Sequence, residues 1–314
     1  MAKIRKILLG VCIMIALSIA LYFIRRATTG YLAEWGSMER VVLRAKPVDD
    51  RPYNLPKIIW AYWNTQTVPP AVKKIMDDRA AVLVGWECRV LNDTTIHEYL
   101  DELPANYDTL RQSHKSDWLR LALLERYGGC WLDATVIVNS LEAFNAVYAD
   151  TVDNQSEFTG FYTPMGLLGS DPTSFIESWF IMAPEKSRVI RAWLSEFTAA
   201  CTMGFSEYRS AVMRDQPFSS HIYNRSGDTY LTVYAAAQVA IQRRLERQVN
   251  ILLYNSYKTM YRLHYDCWNF WRVDYDSLCI VNKLENEKSY VKEVPFIKLT
   301  NAQHSLLRDN NSIN

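Results

Sequence analysis

The chain has 314 residues, with 35 Lys and Arg against 34 Asp and Glu and a net charge of +1. It is 49% hydrophobic and 22% charged, a globular composition large enough for one large domain or two small ones. Balanced charge without a basic run gives no field that recruits nucleic acid, so a nucleic-acid partner is not expected.

The first element is an uncharged run of 18 residues, Ile7 to Ile24, bounded by Arg5-Lys6 and Arg25-Arg26. That length suits a membrane-spanning helix and is long for a signal-peptide core, and no small-x-small cleavage site precedes the basic pair. Residues 1–26 therefore read as an uncleaved single-pass anchor that reaches the membrane through residues 7–24, and residues 27–54 as a stem. Basic residues lie on both sides of the span, so charge does not set its orientation. Sequons at Asn92, Asn154, Asn224 and Asn310 lean toward a type II protein with a Golgi-like lumenal domain. A bacterial inner-membrane protein with a cytoplasmic domain stays open beside it. Six cysteines include no CxxC pair, which argues against zinc, and the expectation is buried free thiols.

The domain proper is expected over residues 55–305, with a loose tail at 306–314. It opens with the apolar run of KIIWAYWN, read as a first strand. Pro69 and Pro70 start a helix to about Ala81, since proline is tolerated in a first helical turn. Trp86 to Leu91 is a second strand, and Asn92, Asp93 and Thr94 are cap candidates for a short helix. Further on, strands are expected at Phe158, at Trp179–Ala183 and at Val294–Leu299. Helices are expected from Pro184 to about Ala200 and over Tyr230–Gln248. Strands alternating with helices predict an α/β fold with a mainly parallel sheet flanked by helices.

The most informative stretch is Ser116 to Val138, SDWLRLALLERYGGCWLDATVIV. From Trp118 to Leu124 every residue but Arg120 is apolar, which places the helix inside the domain. Asp117 and Arg120 share a face on this apolar helix, and charges there are costly unless paired or used. Gly128 and Gly129 stop the helix. The strand that follows alternates, so Asp133 and Thr135 are expected to project from one face as far as Val138.

Ser116-Asp117-x-x-Arg120, then Leu124, Tyr127-Gly128-Gly129, Trp131 and Asp133, resemble the signature of the DXD sugar-binding glycosyltransferases of family 32. They resemble still more closely the related capsular polysaccharide synthesis proteins. KIIWAYWN looks like the N-terminal strand of those families, and PFIKLTN looks like their C-terminal KLT segment. The resemblance implies a GT-A type nucleotide-diphospho-sugar transferase domain, retaining in stereochemistry, acting between a nucleotide-diphosphate-sugar donor and a glycan or lipid-linked acceptor. It implies that Asp117 and Arg120 hold donor-sugar hydroxyls beside Ser116 and Gly129. Asp133 would be the first acid of the DxD motif, Trp60 would stack near the base and Lys298 would meet the diphosphate. It also implies a divalent cation, Mn²⁺ or Mg²⁺, at Asp133 and the next motif position. That position is Thr135 here rather than an acid, and the capsular branch often reads DAT. A hydroxyl is a weaker ligand for a hard cation than a carboxylate.

Competing readings attach to each residue. Asp117 and Arg120 could be a structural ion pair, Trp60 a core aromatic and Lys298 a solvated strand-end lysine. A haloacid-dehalogenase-type phosphatase needs a second acid two residues from its nucleophile, and Trp131 and Thr135 occupy both such positions around Asp133. The expectation is a membrane-anchored hexosyltransferase of polysaccharide or glycan biosynthesis. The alternative is a catalytically inactive membrane protein that binds a sugar or a nucleotide sugar.

Overall fold

The computed structural model describes residues 10, 14–20, 39–45, 52–164, 171–215, 229–269, 274–275 and 277–309. Much of the expected anchor and stem lies outside the described residues. Residues 14–20 are helical, and no described helix is long and apolar enough to cross a membrane.

In chain order the main elements begin with strand β1 (Arg40–Leu43), β2 (Ile58–Tyr62), helix α1 (Pro70–Val82) and β3 (Glu87–Leu91). There follow α2 (Gln112–Tyr127), β4 (Gly129–Leu132), β5 (Val136–Val138), α3 (Leu141–Asp153), β6 (Phe158–Tyr162) and β7 (Ile176–Ala183). Next come α4 (Arg188–Met203), α5 (Phe205–Asp215), α6 (Thr232–Val239) and β8 (Ile251–Asn255). The C-terminal part holds α7 (Arg262–Asp266), β9 (Trp268–Asn269), β10 (Asp274–Tyr275), α8 (Ser277–Asn286), α9 (Lys288–Glu293), β11 (Phe296–Lys298) and α10 (Asn301–Asp309).

Seven strands form one mixed sheet in the order β1-β8-β6-β7-β4-β2-β3. β2, β3, β4, β6 and β8 run one way, whereas β7 and β1 run the other. The α/β expectation thus takes the form of a sheet whose mostly parallel strands are interrupted by β7 between β6 and β4. Residues 40–43, read from the sequence as stem, pair with β8 as the edge strand. Their apolar run Val41–Leu43 suits a sheet edge better than a linker.

The sheet is covered on both faces because its strands alternate between two apolar layers. Ile59, Cys130, Met182 and Leu252 pack with Phe144 of α3. Trp60, Trp131, Ile181 and Leu253 face the other way, against Leu119 and Leu123 of α2, Trp193 of α4 and Ala236 of α6. A third cluster joins α1 to the C-terminal helices through Ile75, Leu263, Val281, Ile297 and Leu307. Leu307 is buried, so the chain stays packed to at least that residue rather than loosening after 305. Cys267 and Cys279 of this region form a disulfide, so the free-thiol expectation holds only for Cys88, Cys130 and Cys201 among the described residues.

The strand expected to run unbroken to Val138 stops at Leu132. Residues 133–135 form a turn in which Val136 N donates to Asp133 O at 3.0 Å. Arg79 of α1, buried, donates through Nη1 to the carbonyls of Asp133 (2.9 Å) and Val136 (3.3 Å). β5 then leaves the main sheet and pairs antiparallel with β11, setting Lys298 opposite Val136. The alternation of apolar residues continued through the turn, which is why it read as one strand.

Gly128 and Gly129 are required by close approach as well as by backbone angle. Gly129 has φ +100°, and a Cβ there would lie 2.6 Å from the Ile58 carbonyl oxygen. We expect Gly129→Ala to destabilise the protein by about 2–4 kcal/mol, because strained backbone and a backbone clash add. Chemical denaturation checks this. A loss under about 0.5 kcal/mol would mean that β2 and β4 can separate at no cost.

Candidate active site

A cleft of about 810 Å³ opens where β2 and β4 end and β7 begins. The carboxyl edge of parallel strands is where α/β sheets hold their ligands. Tyr62, Trp63 and Asn64 come from the end of β2, and Asp133 and Thr135 from the turn after β4.

Its floor is a row of alternating charges. Arg120 Nη2 lies 3.1 Å from Asp117 Oδ1 and 3.3 Å from Asp133 Oδ1. Lys298 Nζ lies 2.8 Å from Asp133 Oδ2 and 3.3 Å from Thr135 Oγ1. Trp131 Nε1 donates to Asp133 Oδ1 at 2.9 Å. Asp117 and Arg120 are 5% and 4% exposed, whereas the side chain of Asp133 is 23% exposed, so Asp133 is the carboxylate that reaches open space. The helix face inferred from sequence therefore brings Asp117 and Arg120 together under Asp133.

Arg120 has little left to offer a ligand. Nη1 donates to the Ser178 carbonyl (2.6 Å) and hydroxyl (2.5 Å), Nε to the Ser116 carbonyl (3.2 Å), and Nη2 to the Ser116 hydroxyl (3.0 Å). Its guanidinium also lies over the Trp131 ring at 5.2 Å. With five N–H groups so engaged, Arg120 is a positioning residue for the two carboxylates rather than a holder of sugar hydroxyls. Ser116 lines the cleft and serves Arg120. Trp60 is fully buried in the core beneath, its Nε1 donating to Gly128 O at 2.9 Å, and it does not line the cleft. Gly129 does not line it either; it is held against β2. Trp63, three residues along from Trp60 in KIIWAYWN, is the tryptophan of that run that reaches the cleft.

The two acids differ in protonation. Burial pushes the Asp117 carboxyl up to about 7, against the pull of Arg120, and the Asp133 charge adds to the rise. For Asp133, burial would raise the pKa, but the charges of Lys298 and Arg120 and hydrogen bonds from Lys298 and Trp131 outweigh it. They hold the carboxyl well below the usual range. Opposed environments for neighbouring acids are a feature of functional sites.

Glu177 of β7 also lines the cleft and was missed from the sequence. Thr163 (2.5 Å) and Tyr261 (3.5 Å) donate to one oxygen, Trp179 (2.8 Å) and Tyr234 (3.3 Å) to the other. Burial raises its pKa against those hydrogen bonds. The available signal was a lone acid inside the apolar run IESWFIMA. With Phe175, Trp179, Tyr234 and Tyr261 it makes an aromatic wall facing the charged floor.

The cation implied by the DxD resemblance does not fit these side chains. The Lys298 ammonium already stands between the two motif side chains, 2.8 Å from Asp133 Oδ2 and 3.3 Å from Thr135 Oγ1, so a cation there would have to displace it or sit beside it. Among the described residues no group of three or more His, Cys, Asp or Glu could hold a metal. A dication set about 4 Å from the Lys298 ammonium would meet a repulsion of about 8 kcal/mol at an effective dielectric near 20.

A profile of the capsular polysaccharide synthesis protein family matches residues 39–201, just over half of the chain. The chain belongs to that family. It is 28% identical over 175 residues to the O-glycosyltransferase PaGT of Phomopsis amygdali, a match covering 50% of this chain and 41% of that protein. The chain thus spans about two-fifths of that relative's length. Among solved structures it is similar to the PaToxG glycosyltransferase (TM-score 0.36, 12% identity, 74% of this chain and 94% of that one). It is also similar to a glycosyltransferase involved in glycosylation of the major capsid of PBCV-1 (TM-score 0.41, 9% identity, 80% and 96%). Scores this low fix neither fold nor function.

Asp117 gives the pH test. Its folded-state pKa lies above the unfolded value, so the folded protein holds a proton that the unfolded chain releases between about pH 4 and about pH 7. This contribution to stability is full below that window and is lost as pH rises through it. Asp117→Asn removes the dependence, so the variant should gain on the wild type in unfolding midpoint across the window. A constant difference would place the Asp117 carboxyl at its ordinary pKa.

Proposed function

We propose that this chain is a glycosyltransferase that moves a hexose from a nucleotide-diphosphate-sugar donor to a glycan or lipid-linked acceptor, with retention of configuration. The observation that carries the reading is the cleft-facing pair of Asp133 and Lys298, in contact at 2.8 Å above a floor ordered by Arg120. Glycosyl transfer leaves negative charge on the departing diphosphate, and a fixed ammonium stabilises it. Asp133, kept ionised, is suited to accept hydrogen bonds from ribose or sugar hydroxyls. The opposite wall, with Phe175, Trp179, Tyr234 and Tyr261, offers flat apolar faces of the kind on which sugar rings and apolar acceptor groups pack. Family membership supports the same reading, as does the similarity to the O-glycosyltransferase PaGT. A GT-A type domain, kinship with the family-32 enzymes and an N-terminal anchor through residues 7–24 belong to this proposal. The resemblance of the central motif supports the first two and the uncharged run supports the anchor.

The test is release of free nucleotide from a panel of nucleotide sugars by the full-length chain. One donor should be cleaved, and Asp133→Asn should slow cleavage by about 100-fold; because the change leaves the Lys298 ammonium without its carboxylate, circular dichroism must show the variant folded. Binding of a nucleotide sugar with no cleavage, even when glycan acceptors are present, would favour the non-catalytic sugar-binding alternative. Extraction of the full-length chain from membranes by salt alone would remove the anchor.

A further inference from the structure

We infer that Lys298 takes the place of the divalent cation in this chain, so that the donor's diphosphate is held and its leaving charge neutralised without metal. This rests on the donor reading above. Three observations carry it.

The first is position. Lys298 Nζ sits between Asp133 Oδ2 (2.8 Å) and Thr135 Oγ1 (3.3 Å), the two side chains that a DxD motif would use to hold a cation. The ammonium therefore fills the point where the metal charge is expected. An acid at 135 would call for more positive charge there than one ammonium supplies; a threonine does not.

The second is rigidity. Lys298 ends β11, whose pairing with β5 sets it opposite Val136. Its backbone N donates to Met260 O at 3.0 Å, and its carbonyl oxygen lies 2.8 Å from His264 Nε2. Burial holds His264 neutral at neutral pH, its pKa lowered to about 4, so the imidazole adds no competing charge beside the ammonium. A pinned backbone gives a long side chain one root, and the two contacts at Nζ fix its tip. Such preorganisation is what makes a single charge effective.

The third is capacity. An ammonium has three N–H donors, and Asp133 and Thr135 account for two. The remaining donor is available to a phosphate oxygen, and the Lys298 side chain lines the cleft. In the transfer step the bond from the sugar C1 to the diphosphate oxygen breaks with its electron pair going to that oxygen. The acceptor hydroxyl oxygen bonds to C1, and its proton passes to the departing diphosphate. Lys298 keeps its protons and supplies counter-charge only.

Calorimetric titration of the full-length chain with UDP, GDP, ADP and CDP in turn, in EDTA and then in excess Mn²⁺, tests this. The nucleotide that binds should do so with affinities within about twofold in the two conditions. Lys298→Met should lose at least about tenfold in EDTA, and Lys298→Arg, which keeps the charge, should recover most of the loss. Thr135→Asp should make nucleotide affinity rise with Mn²⁺, because a second carboxylate restores a cation's ligand set. Binding that requires Mn²⁺ in the wild type overturns the proposal. So does a Lys298→Met variant, folded by circular dichroism, that binds as the wild type does in EDTA. Binding of no nucleotide diphosphate in either condition removes the donor reading itself and this inference with it.

Discussion

The salt bridge between Asp133 and Lys298 joins residues 165 positions apart in sequence and closes the site. Through Asp133 it reaches Arg120 of α2, and through Arg120 it reaches Asp117 and Ser178 of β7. Each ion carries a desolvation penalty of several kcal/mol, offset only where partners and hydrogen bonds are complete. The row meets that condition by alternation: acid, base, acid, base. Removing any inner member leaves a buried charge unpaired, so the arrangement is cooperative, and its members cannot be judged one at a time.

The turn after β4 sets the geometry of that row. Had the strand continued, Asp133 and Thr135 would have stood in the sheet, next to β2 and β7. Instead the chain turns out of the sheet at its carboxyl edge, and Arg79 holds the turn by its carbonyls from below. Arg79 makes these two backbone bonds while buried, and burial lowers its pKa to about 10, still far above neutrality. A permanent charge under the turn thus points backbone oxygens down and leaves the Asp133 side chain above, toward the cleft. β5 and β11 then carry Lys298 to it, so a small two-stranded ladder outside the main sheet supplies the essential contact.

Much of this was legible in the sequence where local pattern and tertiary need agree. The central helix was plain because Trp118–Leu124 carries no charge but Arg120, and that apolar setting singled out Arg120 and, on the same face, Asp117. Other features were hidden by the same logic. The break at Asp133 was masked because apolar alternation runs through it. Arg79 sits in a helix with several charged neighbours and reads as one more solvated cation. Glu177 fell outside the strand expected to begin at Trp179, although a lone acid in an apolar run is a sign of use or pairing. Trp60 lies within β2 and Trp63 just past its end, where the chain leaves the sheet at the cleft, and only the point at which the strand ends tells which of them meets the cleft. The edge strand at Arg40–Leu43 depends on contacts with β8 far along the chain, to which local periodicity is blind, and Cys267 and Cys279, 12 residues apart, fit none of the spacings that announce a paired motif.

The two carboxylates divide the electrostatic work. Asp133 is ionised at any ordinary pH, whereas Asp117 titrates close to neutrality. With Asp117 ionised, the row of Asp117, Arg120, Asp133 and Lys298 is neutral; with Asp117 protonated, it carries one net positive charge. On the donor reading proposed above, a diphosphate at the Lys298 end would bring negative charge and raise the cost of a second buried anion nearby. Ligand entry and proton uptake at Asp117 therefore favour each other, by the reciprocity that holds for any two linked equilibria. The proton on Asp117 lies in the row beneath Asp133, beside Arg120. It adjusts the charge of a floor that is otherwise fixed, and it does so at the most deeply buried acid of the row, where solvent screens least.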